Sequence, residues 1–255
     1  MEKYHHCPGS GAIFVLGIGP GDKKYRTLYA EEILSKCQAL VGYHKYLELV
    51  RDHFEHKQIF SSGMGQEILR VEKALELAEE GLIVGVVSSG DPGIYGMAGL
   101  VLELMQKREK FLPVEIIPGV SAGQYLAAKV GAPLMLDFAC VSLSDLLIAW
   151  EKIEGRLLAL AQSDLVTVLY NPRSKKRTWQ LKRAKEIFLR FRPPHTWVAI
   201  GKNLSLDREK FILTTLKDLN LEVVDMRTTL IIGNDTTQKL GDFLVSLRGY
   251  ARKMT

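Results

Sequence analysis

Apolar and polar positions along the chain fall into blocks that switch between two rhythms. Short continuous apolar runs, clearest in Leu82-Ile83-Val84-Gly85-Val86-Val87, have the make-up of strands buried on both faces, as in parallel sheets. Between such runs, apolar residues recur three and four apart. Met64, Ile68, Val71, Leu75 and Ala78 line one face of a predicted helix, Glu72, Lys73, Glu76 and Glu79 its wet face, and Gly81 its stop. Residues 12–18, 39–41, 58–60 and 114–117 predict further strands, and 27–37 and 94–105 further helices. Thr27 is the N-cap candidate of the first of these, with Glu31 and Glu32 early in it.

After Pro118–Gly123 the alternation begins again. Residues 136–143, 165–170, 197–200, 210–214 and 228–232 read as strands. Residues 146–161 read as a helix, Leu181, Ala184, Phe188 and Phe191 line another, and 238–247 read as a closing helix. Strands alternating with helices at this spacing predict an α/β protein of two domains, residues 1–118 and 119–255, with mixed, mostly parallel sheets. Residues 1–11, with His5, His6 and Cys7, read as an unstructured lead without the apolar core of a signal peptide.

Composition narrows the classes. With 47% hydrophobic and 25% charged residues among 255, the chain has the balance of a folded globular protein rather than a disordered one. Its longest apolar runs, 82–87 and 157–161, fall far short of the ~20 residues of a membrane span, so no membrane partner is expected. Cys7, Cys37 and Cys140 are too far apart for a metal set or a redox pair, which fits small buried side chains in a reducing cytoplasm. No other ligand cluster is read, and His44, His53 and His56 are taken as solvated, so no metal is expected. A net charge of +5 is mild for a nucleic-acid binder and agreeable to a polyanionic small substrate.

The chemistry is expected where strands run into small-residue loops: 17–22, 88–93, 118–122, 170–174 and 201–203. Gly17-Ile18-Gly19-Pro20-Gly21-Asp22 is not a dinucleotide fingerprint, because Asp22 stands where the third glycine belongs and Pro20 removes an N–H. The loops hold no metalloprotease helix motif, serine elbow or phosphate loop. A site so poor in nucleophiles suits a donor that is already activated, such as a sulfonium methyl, with positioning supplying much of the rate. Asp91 is placed to accept hydrogen bonds from a ribose or an amine, or else to cap the following helix. The backbone around Ser121 and Ala122 is placed to hold an adenine edge. Asn171-Pro172-Arg173-Ser174-Lys175-Lys176-Arg177 puts cations after a strand end, where Arg173, Lys175, Lys176 and Arg177 are candidates for substrate carboxylates.

Gly17-Ile18-Gly19-Pro20-Gly21-Asp22, Ser89-Gly90-Asp91-Pro92-Gly93-Ile94-Tyr95-Gly96 and Pro118-Gly119-Val120-Ser121-Ala122, in this order, resemble the tetrapyrrole methylases. That resemblance implies two α/β domains with S-adenosyl-L-methionine in the cleft between them, leaving S-adenosyl-L-homocysteine as product, and a homodimer. Pro20, Ser89, Gly90, Asp91, Ile94, Ser121, Ala122, Asn171, Gly201, Thr229 and Leu230 match its cofactor-contacting positions. Within the family, Ser142-Leu143-Ser144-Asp145-Leu146-Leu147, Leu169-Tyr170-Asn171-Pro172-Arg173-Ser174-Lys175 and Thr228-Thr229-Leu230-Ile231-Ile232-Gly233-Asn234 are similar to the precorrin-3B C17-methyltransferase branch. Ile148-Ala149-Trp150 departs from the Thr-Pro-Trp expected there. The implied reaction is methylation of C17 on a polycarboxylate tetrapyrrole, metal-free or cobalt-loaded, with ring contraction, in cobalamin biosynthesis. Any cobalt would arrive inside the substrate. Asp91, Tyr95 and Ser144, with Asp145, are the catalytic candidates by place, none assigned as acid or base. A methylase acting at another ring carbon, an RNA ribose methylase and a non-catalytic tetrapyrrole carrier stay open beside this reading.

Overall fold

The computed structural model describes residues 11–253, so the His5-His6-Cys7 lead lies outside the described residues. The chain divides into two compact units, one ending at Ser121 and the next beginning at Ala122. Among the described residues, no helix is long and apolar enough to cross a membrane.

The first unit runs β1 (Ala12–Gly17), α1 (Leu28–Lys36), β2 (Ala39–Tyr43), α2 (His44–Glu48), β3 (Gln58–Ser62), α3 (Glu67–Glu79), β4 (Ile83–Ser88), α4 (Ala98–Lys107) and β5 (Val114–Ile117). Its five strands are all parallel, in the order β3-β2-β4-β1-β5. The continuous apolar runs are explained by burial on both faces. Ile13 and Val15 pack with Val71, Leu75 and Val101 of α3 and α4, while Leu16 packs with Ile33 and Leu34 of α1. The chain leaving β1 therefore enters a helix on one face of the sheet and the chain leaving β4 a helix on the other. Adjacent strands whose exits part in this way open a crevice at their carboxyl ends.

Thr27 caps α1 as predicted, its hydroxyl accepting the Ala30 N–H at 3.0 Å. Two other expectations shift. The helix expected over 94–105 begins only at Ala98, because Pro92 and the left-handed Tyr95 (φ +55°) hold residues 92–97 in turns. On α3 the buried stripe is Arg70, Val71, Ala74, Leu75, Leu77 and Ala78. Met64 precedes that helix, and both Met64 and Ile68 are exposed.

The second unit runs α5 (Ala122–Val130), β6 (Gly131–Ala132), β7 (Phe138–Ser142), α6 (Trp150–Gln162), β8 (Val166–Tyr170), α7 (Gln180–Phe191), β9 (Trp197–Lys202), β10 (Lys210–Thr215), β11 (Thr228–Ile232), β12 (Thr237–Leu240) and β13 (Phe243–Ser246). Its main sheet, β10-β9-β11-β8-β7, is mixed, and only β7 and β8 pair in parallel. Because β11 runs antiparallel to both β8 and β9, the carboxyl ends of β7, β8 and β9 share one edge with the start of β11.

Three readings are corrected in this unit. The closing helix over 238–247 is instead the hairpin β12–β13, turned by Gly241 at φ +61° and Asp242. Its alternation is the strand period, with Leu244 and Ser246 buried and Phe243 exposed. The helix expected from 146 starts at Trp150, leaving Leu146 and Leu147 in a loop, 81% and 98% exposed. Helix α5, not foreseen, begins at Ala122 within the stretch read as the seam and runs on to Val130.

Candidate active site

In the first unit, the loops leaving β4, β1 and β5 come from three neighbouring strands and interlock through their backbones. Gly19 and Gly90 exchange both backbone hydrogen bonds, at 3.2 and 2.8 Å. A β-carbon on Gly119 would stand 2.1 Å from the Gly90 carbonyl oxygen and 2.9 Å from that of Gly17, so no larger residue fits this contact. Asp91 fastens the arrangement. Its Oδ1 accepts the Gly93 N–H at 2.8 Å and its Oδ2 the Gly119 N–H at 3.1 Å. Asp91 therefore does not cap the following helix, whose N-cap is Met97. Ser89 hydrogen-bonds Tyr46, whose hydroxyl is pushed up in pKa by burial and by Tyr43 beside it. Ile94 and Tyr95 are exposed on the same loop, at 36% and 53%.

In the second unit, the predicted residues at the carboxyl ends of β7 and β8 form one hydrogen-bonded group. Ser142 Oγ accepts from Asn171 Nδ2 at 3.0 Å and from the Ser144 N–H at 3.2 Å. Arg177 donates to the Asn171 carbonyl at 2.8 Å and to Ser144 Oγ at 3.4 Å. Asp145 is held by Gln180 Nε2 at 2.8 Å. Asn171 and, after β9, Asn203 take left-handed backbone conformations, at φ +49° and +51°, which non-glycine residues adopt at a cost. Across β9 and β11, Gly201 pairs with Thr229 and Lys202 with Thr228. The hydroxyl of Tyr170 accepts the Gly123 N–H on α5 at 2.9 Å.

The four cations of the β8 loop divide sharply in environment. Arg173 is engaged by the Leu221 carbonyl (2.7 Å) and Glu222 (3.1 Å), and Lys175 and Lys176 are exposed. Arg177 is buried, has an Nε without a hydrogen-bond partner, and forms no ion pair among the described residues. Burial lowers its pKa, with Asp145 opposing. Sequence reasoning missed a basic hollow of about 410 Å³ in which Lys202, Arg208 and Lys210 surround Ile200, Ile212 and Val223. Lys202 and Lys210 are direct cross-strand partners, a like-charge pairing that Asp225 relieves only at Lys202, 2.7 Å away.

Elsewhere, Glu31, Asp52 and His53 stand close enough to hold a metal ion, but Lys23 and the buried Arg26 already occupy the two carboxylates. His53 is accordingly not the solvated side chain expected: it is largely buried and 3.0 Å from Glu31. His44 and His56 are exposed. Cys37 is buried, as expected, and its thiol is pushed up to about 12 by that burial. Cys140 is half-buried.

The motifs that interlock at the first unit's strand ends lie inside a match, over residues 12–220, to the family model of tetrapyrrole (corrin/porphyrin) methylases. The chain belongs to the tetrapyrrole methylases. A probable cobalt-factor III C(17)-methyltransferase of Salmonella typhimurium is 43% identical over 238 residues, 93% of this methylase and 99% of the relative. A cobalt-factor III methyltransferase of Priestia megaterium is 42% identical over 249 residues, 96% of this chain. The chain spans about half the length of that relative, 46% of it. Among solved structures, the methyltransferase CobJ superposes with a TM-score of 0.89 at 33% identity, covering 93% of this chain and all of CobJ. A uroporphyrin-III C-methyl transferase of Thermus thermophilus, solved with S-adenyl homocysteine, shares the fold at 21% identity and a TM-score of 0.64, over 88% of this chain and 97% of its own.

Proposed function

We propose that this tetrapyrrole methylase transfers a methyl group from S-adenosyl-L-methionine to C17 of precorrin-3B or its cobalt-loaded counterpart, with ring contraction, in building the corrin ring of cobalamin. The observation that carries the reading is the Salmonella relative, a probable cobalt-factor III C(17)-methyltransferase, matched along 99% of its length and so across both α/β units. Homology to the family also supports a homodimer, and the cysteine pattern a cytoplasmic one.

The residues present fit such a donor. Its sulfonium supplies a methyl group already activated for displacement, so the protein has to position and desolvate rather than generate a nucleophile. The interlocked loops around Gly90 and Gly119 lie at the carboxyl edge of a parallel sheet, and the exposed Ile94 offers an apolar surface on the same loop as Gly90. Pro20, Ser89, Gly90, Asp91, Ile94 and Ser121 in the first unit, and Ala122, Asn171, Gly201, Thr229 and Leu230 in the second, are the donor positions. Asp91 holds the loops in register. Tyr95, in its left-handed turn, and Ser144, bonded to Arg177, are the side chains nearest to the acceptor in this reading. Arg173, Lys175, Lys176 and Arg177 are the cations for the acid side chains of the macrocycle, the exposed lysines foremost, since both arginines already donate to groups within the protein.

Calorimetric titration with S-adenosylhomocysteine, alone and with metal-free or cobalt-bearing substrate, tests the donor and selects the acceptor. Transfer from a methyl-labelled donor then locates the new group by NMR. Label at another ring carbon would assign the protein to a different methylase. Absence of donor-product binding by folded protein would leave a carrier.

A further inference from the structure

On α3, the first unit holds a buried charge that forms no ion pair among the described residues. Arg70, on α3, is 3% exposed. Its Nε donates to Ser62 Oγ at 2.9 Å, one terminal nitrogen to the Gly63 carbonyl at 3.0 Å, and the other only to Met97 Sδ at 3.6 Å. Among the described residues Arg70 makes no ion pair. The buried Arg26, by contrast, is 2.6 Å from Glu31, and the buried Arg192 is 3.8 Å from Asp164. A guanidinium carries five N–H donors, and a thioether is a weak acceptor, so this one is under-used as well as unpaired. Taking a charge out of water without a counter-ion is costly. Such an arrangement is accounted for when the counter-ion arrives with a ligand.

The position of Arg70 supports that account. Ser62 ends β3 and Gly63 follows it, and Met97 ends the loop that begins at Ser89, so the guanidinium stands at the same carboxyl edge as the interlocked loops. Glu67, and after it Tyr46 and Tyr43, act on it electrostatically, but Glu67 stands outside ion-pair distance. Its weakest contact is to the thioether of Met97, a side chain at the margin of the first unit's core, 8% exposed. Methionine is unbranched and flexible, and Met97 follows the exposed Tyr95-Gly96 turn.

We infer that Arg70 binds a carboxylate of a ligand, its terminal N–H fork being uncovered when the Met97 side chain swings aside. The inference rests on the transferase reading, which offers two sources of that group: the amino-acid tail of the methyl donor and the acid side chains of the tetrapyrrole.

The test uses Arg70→Met, which removes the charge at similar volume, and Arg70→Lys, which keeps the charge without the fork. Each is titrated with S-adenosylhomocysteine and with methylthioadenosine, which has the nucleoside and thioether but no amino-acid tail. The KM for the macrocycle is measured alongside. If the donor tail is the partner, Arg70→Met binds S-adenosylhomocysteine at least tenfold more weakly while methylthioadenosine is unaffected. If the macrocycle is the partner, KM rises at least tenfold with both nucleosides unaffected. Arg70→Lys shows the same selectivity at about threefold, and it carries the test should Arg70→Met not fold. Equal loss of both nucleosides, or no change in any of the three, overturns the inference and leaves Arg70 a clamp between Gly63 and Met97. Wild-type protein that binds neither nucleoside overturns the transferase reading itself, an outcome distinct from any variant-specific one.

Discussion

Asp91 offers a perturbation whose size follows from counting acceptors. Its two carboxylate oxygens take the Gly93 and Gly119 N–H groups, and the Gly119 bond is the more buried. An amide in its place has one acceptor oxygen and no charge. Asp91→Asn keeps the Gly119 bond in weakened form and leaves Gly93 to water. Asp91→Ala loses both. Hydrogen bonds to charged groups contribute about 1.5–3 kcal/mol, and the exposed Gly93 bond is discounted because water replaces it. That gives about 1.4 kcal/mol for the asparagine and about 3 kcal/mol for the alanine, or roughly tenfold and a hundredfold weaker donor binding. The assay is calorimetry with S-adenosylhomocysteine, paired with kcat at saturating donor. A group acting as general base would behave otherwise: both variants would lose about a hundredfold or more in kcat with donor affinity unchanged. That result would refute the positioning role argued for Asp91.

Other substitutions probe the scaffold. Gly119→Ala sets a β-carbon against two backbones at once, which no rotamer relieves, so a loss of about 3 kcal/mol is expected in urea unfolding, and one under about 1 kcal/mol would contradict the interlock. Glu31→Gln removes the carboxylate 2.6 Å from buried Arg26, at an expected cost of about 3 kcal/mol at pH 7. Burial raises the pKa of Glu31, but hydrogen bonds from Arg26 and His53 outweigh it and hold the carboxyl below its usual range. The advantage of wild type over this variant is therefore full above the unfolded carboxylate value and fades as pH falls through the lowered folded one. An undiminished gap in urea stability at pH 3 would count against the assignment. Cys37, with its thiol near 12, should resist iodoacetamide at pH 8.5 in folded protein and react on unfolding; peptide mass spectrometry showing rapid alkylation of the native chain would contradict its burial.

The parts legible in the sequence were those written in short range. The buried strands of the first sheet announce themselves because both faces are covered, and Thr27 because a cap is a local device. The motif loops were legible as strand ends, but their mutual contact was not, since Gly17, Gly90 and Gly119 meet only through sheet order. The β12–β13 hairpin carried a readable signal in Gly241-Asp242 between alternating residues, overridden by a spacing that also suits a helix. Arg70 was masked by its neighbours: on a helix face read from apolar residues alone, a buried arginine has no pattern of its own. The Lys202–Lys210 pairing needs the register of two strands joined by a hairpin, and charge counts along the chain do not contain it.

The order in which the chain is synthesised gives the β6–β13 pairing another meaning. The first unit draws its five-stranded sheet from residues 12 to 117, so everything it needs emerges early. The second unit is different. Leu244 pairs with Gly131, and Ser246 Oγ reaches the Pro133 carbonyl at 2.7 Å across 113 residues of sequence. The short strand β6 must therefore wait on the ribosome without its strand partner until residue 246 has been made and released. Domains fold as units during translation, and long-range closures come last. A newly made chain would then hold a finished first unit beside an open second one for most of its synthesis. A nascent-chain proteolysis series should find the first unit protected long before the second.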